Sequence, residues 1–212
     1  GTGNSTIGHG LGATPKFIIV KNLTTAQAWG IKSDSFVSAS EPRILYLNAT
    51  SSYANDTNVW GTSAAFNDNT FTVGDWNGSN QSGSSFIAYC WSEVQGFSKF
   101  SSYTGNGSLD GTFIYTGFKP AWAMFKKTSA GADWFIMDNK RDLHNEMIRD
   151  LRPARSDAEN ANTTYNDCDF ISNGIKIRED NGDFNESGGT YIYMAFAEAP
   201  LVGTNGVTAK AR

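Results

Sequence analysis

The stretch Phe86–Val94, FIAYCWSEV, returns at Tyr191–Ala199 as YIYMAFAEA. Each copy follows a small polar approach, NQSGSS before Phe86 and NESGGT before Tyr191. In the first copy Phe86, Ala88, Cys90 and Ser92 alternate with Ile87, Tyr89, Trp91 and Glu93. Such alternation is the mark of a β-strand, and apolar residues on both sides predict a central strand covered on both faces.

The two copies belong to a longer repeat. A shift of 105 residues carries Pro15 onto Pro120, Lys21 onto Lys126, Trp29 onto Trp134, Asn80 onto Asn185 and Glu93 onto Glu198. Phe66 meets Phe170 with a shift of 104. A nearly constant offset over a whole unit is a tandem duplication. Gly1-Thr2-Gly3 then corresponds to Gly105-Asn106-Gly107, and the residues that precede the second triplet lead us to expect that the chain is a fragment of a longer one.

Within each unit, short period-two runs are separated by Gly- and Asn-rich turns. KFIIVKN, AWGIKS, RILYLN and NTFTVGDW are expected strands of the first unit. TFIYTGF, AWAMFKK, DWFIMD and GIKIRE are expected strands of the second, and FSKFSSYTG is expected to add a strand at the junction. Leu143, Met147 and Leu151 recur at helical spacing before Pro153, but their counterpart RILYLN reads as strand, and the duplicated frame favours strand for both. The expected fold is all-β, two tandem related β-sandwich units of the jelly-roll or concanavalin-like kind. The expected boundaries are 1–96 and 97–200, with a C-terminal tail at 201–212.

Composition narrows the function classes. Charged residues are 18%, Gly numbers 22 and Pro 5, which suits short strands and tight turns and is less charged than the roughly 25% usual in soluble domains. The net charge of −4 comes with no basic stripe, so nucleic acid is not an expected partner. No apolar run reaches the roughly 18 residues of a membrane span, and membrane insertion is not expected. Two cysteines, Cys90 and Cys168, leave a single disulfide open as a possibility but make no framework.

The residues that carry chemistry are sparse. His9 and His144 have no counterparts in each other's unit, and no nucleophile motif accompanies them. Glu93 and Glu198 are related by the repeat; a glycosidase would need them about 5–10 Å apart in a cleft, and solvated strand ends explain them more simply. Asp180, Asp183 and Glu186 lie in an acidic run, EDNGDFNESGG, that departs from the calcium-loop register and reads as an Asn-Gly turn. They are weak metal candidates at best; no metal, cofactor or catalytic set is expected. Loop aromatics are the better lead, because indole faces stack on sugars and also on partner subunits. Trp76 leads this ligand-binding set, with Trp60, Tyr53 and Asn77 beside it.

The runs GHGLGATPKFIIVKN, FIAYCWSEVQGFSKFSSYTGNGSLDGTFIYTGFKPAW and GGTYIYMAFAEAP resemble a repeated domain of unknown function in large virion proteins of tailed bacteriophages, many of them marine. The resemblance covers nearly the whole chain, and it carries no catalytic residues over. It implies a non-enzymatic virion structural protein: a tail-fibre, spike or adhesin fragment that binds host-surface glycan or another receptor. A capsid decoration or virion assembly protein and a glycan depolymerase module are the alternatives. Other virion subunits are the expected partners, with a homo-oligomer, a trimer by analogy with fibres, in the virion.

Overall fold

Ile18 faces Cys90 across one antiparallel ladder, and 105 residues on Ala123 faces Ala195 across another. The repeat is therefore one of backbone pairing as well as of letters. The computed structural model describes residues 3–36, 42–61, 66–161 and 167–199; the tail expected at 201–212 lies outside them. The chain divides into two units, Gly1–Ser92 and Glu93–Arg212, a division slightly ahead of the expected boundary at 96/97.

The first unit contains β1 (Ser5–Gly8), β2 (Phe17–Asn22), β3 (Gly30–Ser33), β4 (Arg43–Tyr46), β5 (Ala54–Asn55), the single-turn helix α1 (Thr57–Trp60), β6 (Thr70–Val73), the single-turn helix α2 (Asn77–Asn80) and β7 (Phe86–Trp91). Five strands form a sheet in the order β5-β4-β3-β2-β7, and β1 pairs with β6. Its core gathers Ile18, Val20, Ile44, Val59, Trp60, Phe71 and Val73.

The second unit contains β8 (Ser98–Thr104), β9 (Phe113–Tyr115), β10 (Pro120–Lys127), β11 (Trp134–Asp138), β12 (Arg149–Asp150), β13 (Asn160–Ala161), β14 (Cys168–Ile171), β15 (Gly174–Ile177), the single-turn helix α3 (Gly182–Asn185) and β16 (Thr190–Ala197). Its main sheet runs β11-β10-β16-β8, its second sheet β14-β15-β9, and β12 pairs with β13. The chain is thus mostly β, in several antiparallel sheets.

Hydrogen bonds repeat with the same offset. Lys21 Nζ donates to Gln27 O at 2.7 Å, and Lys126 Nζ donates to Ala132 O at 2.7 Å. Asn80 Nδ2 donates to Gly3 O and Gly74 O; Asn185 Nδ2 donates to Ser108 O and Glu179 O. Each asparagine ends its helical turn and ties two loops to it. This is why the NxSG approach to the repeated strand keeps its asparagine.

The helical reading of Leu143–Leu151 is not adopted. Met147 bridges Cys168, Leu151 bridges Ile136, and β12 lies between. The Asp142 carboxylate accepts from the backbone N–H of Ile148 (2.9 Å) and Arg149 (2.8 Å), which occupies donors that a helix would use. FSKFSSYTG becomes β8, and it pairs along its length with β16 inside the second unit.

One expectation is overturned. β7, read as a central strand, is the edge of its sheet. Tyr89 is 43% exposed, and Ala88 is exposed as well. Its counterpart β16 is the buried, central one, with Tyr193 only 3% exposed. Cys90 and Cys168 are both free thiols, and burial pushes the Cys90 thiol up to about 11.

Lys32 is buried in the first unit, with its ammonium over the Phe66 ring. Desolvation lowers its pKa from 10.5 to about 7, against an opposing pull from Asp34. The unfolded chain then holds the proton more tightly than the folded one between those two values. Stability of the first unit is expected to rise as pH increases from about 7 to about 10, and the penalty of burying the protonated amine is fully present below that window. Denaturant melts of wild type and Lys32→Met across the range check this: the variant should flatten the rise and be the more stable protein at neutral pH.

Candidate functional site

The four ligand candidates occupy different environments. Trp60 is 0% exposed. Asp56 caps α1 by accepting from Asn58 N, and the turn drives Val59 and Trp60 inward. The indole Nε1 donates to Arg43 O at 3.1 Å, and the ring meets Phe66 edge-on at 6.1 Å. The expectation that Trp60 presents a ligand surface is therefore corrected: its polar handle and its faces are used in the core. Trp76 is half-buried, tilted on Tyr46 at 5.7 Å and seated over Gly30 and Gly78, where any Cβ would strike its ring. Tyr53 is half-buried, with the Arg43 guanidinium 4.3 Å from its ring centre. Asn77 is exposed, and its carbonyl accepts from Asn22 Nδ2 at 2.9 Å.

The acidic candidates occupy separate settings. Glu186 pairs with Lys127 at 2.7 Å, Asp183 sits in the capped first turn of α3, and Asp180 is exposed. Among the described residues no three of His, Cys, Asp and Glu converge as metal ligands, so Asp180, Asp183 and Glu186 are not brought together. Glu93 pairs with Lys99 and Glu198 with Lys119, each at 2.8 Å. His9 accepts from Leu11 N at Nδ1, so its Nε2 carries the proton donated to Asn67 O.

A groove that the sequence reading missed lies on the second unit. It is about 540 Å³ and is lined by Ala121, Trp122, Asp138, Asn139, Lys140, Arg141 and Glu159. A second hollow of about 370 Å³ shares Asn139 and Lys140 with it and adds Lys119, His144 and Glu198 among others. The ladder builds the site, because Trp122 on β10 lies opposite Asp138 at the end of β11. Phe196 backs the indole at 5.7 Å. Asp138 Oδ1 accepts from Lys140 N (2.9 Å) and Arg141 N (3.0 Å), which closes a tight turn, while its other oxygen holds the Arg141 guanidinium. Arg141 Nε reaches Glu159 at 2.9 Å, and Asn139 Nδ2 donates to Glu198 at 2.8 Å.

The result is a supported aromatic ring beside fixed carboxylates, a guanidinium, an amide and an ammonium. That chemistry suits a neutral or weakly charged polyol: the ring takes C–H faces, and the polar groups take hydroxyls. The first unit lacks the site. Phe17, Ser33, Asp34, Ser35 and Phe36 stand where Trp122, Asp138, Asn139, Lys140 and Arg141 do, and Phe17 and Phe36 are buried. Aligning the two copies and marking where charge diverges, SDSF against DNKR, is the signal that points to this turn.

The chain belongs to the family described as a domain of unknown function (DUF7483), which matches residues 1–200. No curated protein and no solved structure matches it.

Proposed function

We propose, from the resemblance carried by the repeated motifs and from the groove on the second unit, that the chain is a non-enzymatic binding module of a phage virion protein. It would be part of a tail fibre, spike or adhesin, with host-surface glycan as its ligand. The observation that carries the reading is Trp122, backed by Phe196 and ringed by Asp138, Asn139 and Arg141. A rigid antiparallel scaffold with divergent loops is the usual platform for such sites. The units would be tandem sandwiches of the jelly-roll or concanavalin-like kind. Assembly into a homo-oligomer, a trimer in the fibre reading, would multiply a weak site by avidity.

A second reading, a capsid decoration or virion assembly protein, draws on a different surface. β9 is the edge of its sheet and exposes Phe113 and Tyr115, the latter 64% exposed, with Leu109 nearby in sequence also exposed. Exposed aromatics on a sheet edge suit a neighbouring subunit. The depolymerase reading draws on Glu93 and Glu198, and it is weakened because each carboxylate is already engaged by a lysine.

Binding of the chain to a panel of bacterial surface glycans and to whole marine bacterial cells tests the first reading. Trp122→Ala is expected to weaken binding by about tenfold or more, whereas Trp76→Ala should lower first-unit stability and leave binding in place. A folded chain that binds no glycan or cell, or a Trp122→Ala variant that binds like wild type, would sink the glycan reading in favour of assembly.

A further inference from the structure

The outer edge of β7 and the outer edge of β16 are the same place in two copies of one unit. In the second unit that place is filled. Thr128 N donates to Thr190 O and Ala197 N to Phe97 O, so the even-numbered residues of β16 turn their backbone to β10 and the odd-numbered ones to β8. There Tyr191, Tyr193 and Ala195 face Tyr103, Ser101 and Lys99. Tyr103 is the anchor: its ring stacks on Tyr191 at 4.7 Å and 9°, and its hydroxyl donates to Phe184 O at 2.8 Å.

In the first unit, Lys16 N donates to Trp91 O and Leu23 N to Ser85 O. The odd-numbered residues of β7 therefore face β2, and the N–H and C=O groups of Phe86, Ala88 and Cys90 point off the sheet. Among the described residues β7 has β2 as its one strand neighbour. A groove of about 380 Å³ is lined by four residues of this strand, Ala88, Tyr89, Cys90 and Trp91, together with Gly8, His9 and Phe71. Tyr89 and Ala88 are exposed where the equivalent Met194 and Tyr193 are buried.

We infer that the β7 edge is a strand-acceptor site, and that its occupant is an extended segment of the β8 type, S-K-F-S-S-Y-T. The segment adds antiparallel to β7 in the register that β8 takes on β16. Its tyrosine stacks on Phe86, its second serine before that tyrosine lies opposite Ala88, and its lysine lies opposite Cys90. Backbone hydrogen bonds hold it, and the alternating side chains set its register. This inference stands apart from the glycan groove, which lies on the other unit.

The test adds a synthetic peptide of residues 97–105 to the chain and reads binding by calorimetry, with sedimentation run alongside to report the size of the chain alone. Saturable one-to-one binding is expected. Methylating the peptide amide nitrogen of Ser101, which faces β7, should weaken it by about tenfold or more, while the same change at Ser102, which faces away, should leave it within about threefold. A benzophenone amino acid in place of Tyr103 should cross-link to the segment around Phe86. No binding by the folded chain, equal loss from both methylated peptides, or adducts elsewhere would overturn the inference. A stable self-associated chain that refuses the peptide would overturn it too, and would assign the edge to a second copy.

Discussion

Asn185→Ala is expected to lower the stability of the second unit by about 2–4 kcal/mol. The residue is 0% exposed and stands at a crossing of three loops. Its amide nitrogen reaches Asn106 Oδ1 (2.9 Å), Ser108 O (2.9 Å) and Glu179 O (2.7 Å). Its oxygen accepts from Asn106 N at 3.0 Å. Alanine leaves these groups without that partner, the Glu179 carbonyl in a buried setting. For a unit of roughly 100 residues the midpoint should fall by about 10 °C or more. Asn185→Asp keeps the shape but cannot donate to the carbonyls, so it should fare no better. Asn80→Ala, at the equivalent but half-buried position, should cost the first unit about 1–2 kcal/mol. Thermal melts with hydrogen exchange, which reads each unit separately, check all three. An Asn185→Ala midpoint within a few degrees of wild type would show that the loops do not depend on it.

Trp60→Ala is expected to destabilise the first unit by about 3–5 kcal/mol and to leave the second unit's exchange protection unchanged. The loss has two sources. The buried indole leaves a cavity beside Val59, Phe66 and Phe71, and the Arg43 carbonyl loses its Nε1 donor. Trp60→Phe separates them: most of the volume stays and the hydrogen bond goes, for a cost of about 1–2 kcal/mol. A Trp60→Ala variant of near wild-type stability that lost glycan binding would return Trp60 to the ligand set.

Much of the fold was legible because the duplication supplied its own control. RILYLN and the Leu143–Leu151 segment differ in local pattern, but their shared place in the repeat identified the latter as extended, and the bridges of Met147 and Leu151 agree. The asparagine that recurs as Asn80 and Asn185 could be marked as special from the letters alone, but its partners could not. They lie as far as 79 residues away in sequence, as Asn106 is from Asn185. The ligand set was less legible. Trp60 and Trp76 sit in polar-looking segments, and a loop's composition does not say whether its one indole turns in or out. Asp56 capping α1 turns Trp60 in. Trp122 was read as part of a strand, and its groove appears when the DNKR turn of β11 is laid beside it by the ladder.

The letters by themselves determined the tandem repeat, the all-β class and the order of most strands, because each of these is written in local alternation and in self-similarity at one offset. Only the tertiary structure decided that β7 is an edge and β16 is central. Period-two alternation reports which faces of a strand are apolar. Whether its backbone edge is covered depends on a neighbour, and in the second unit that neighbour is β8, about 90 residues before β16 in the chain.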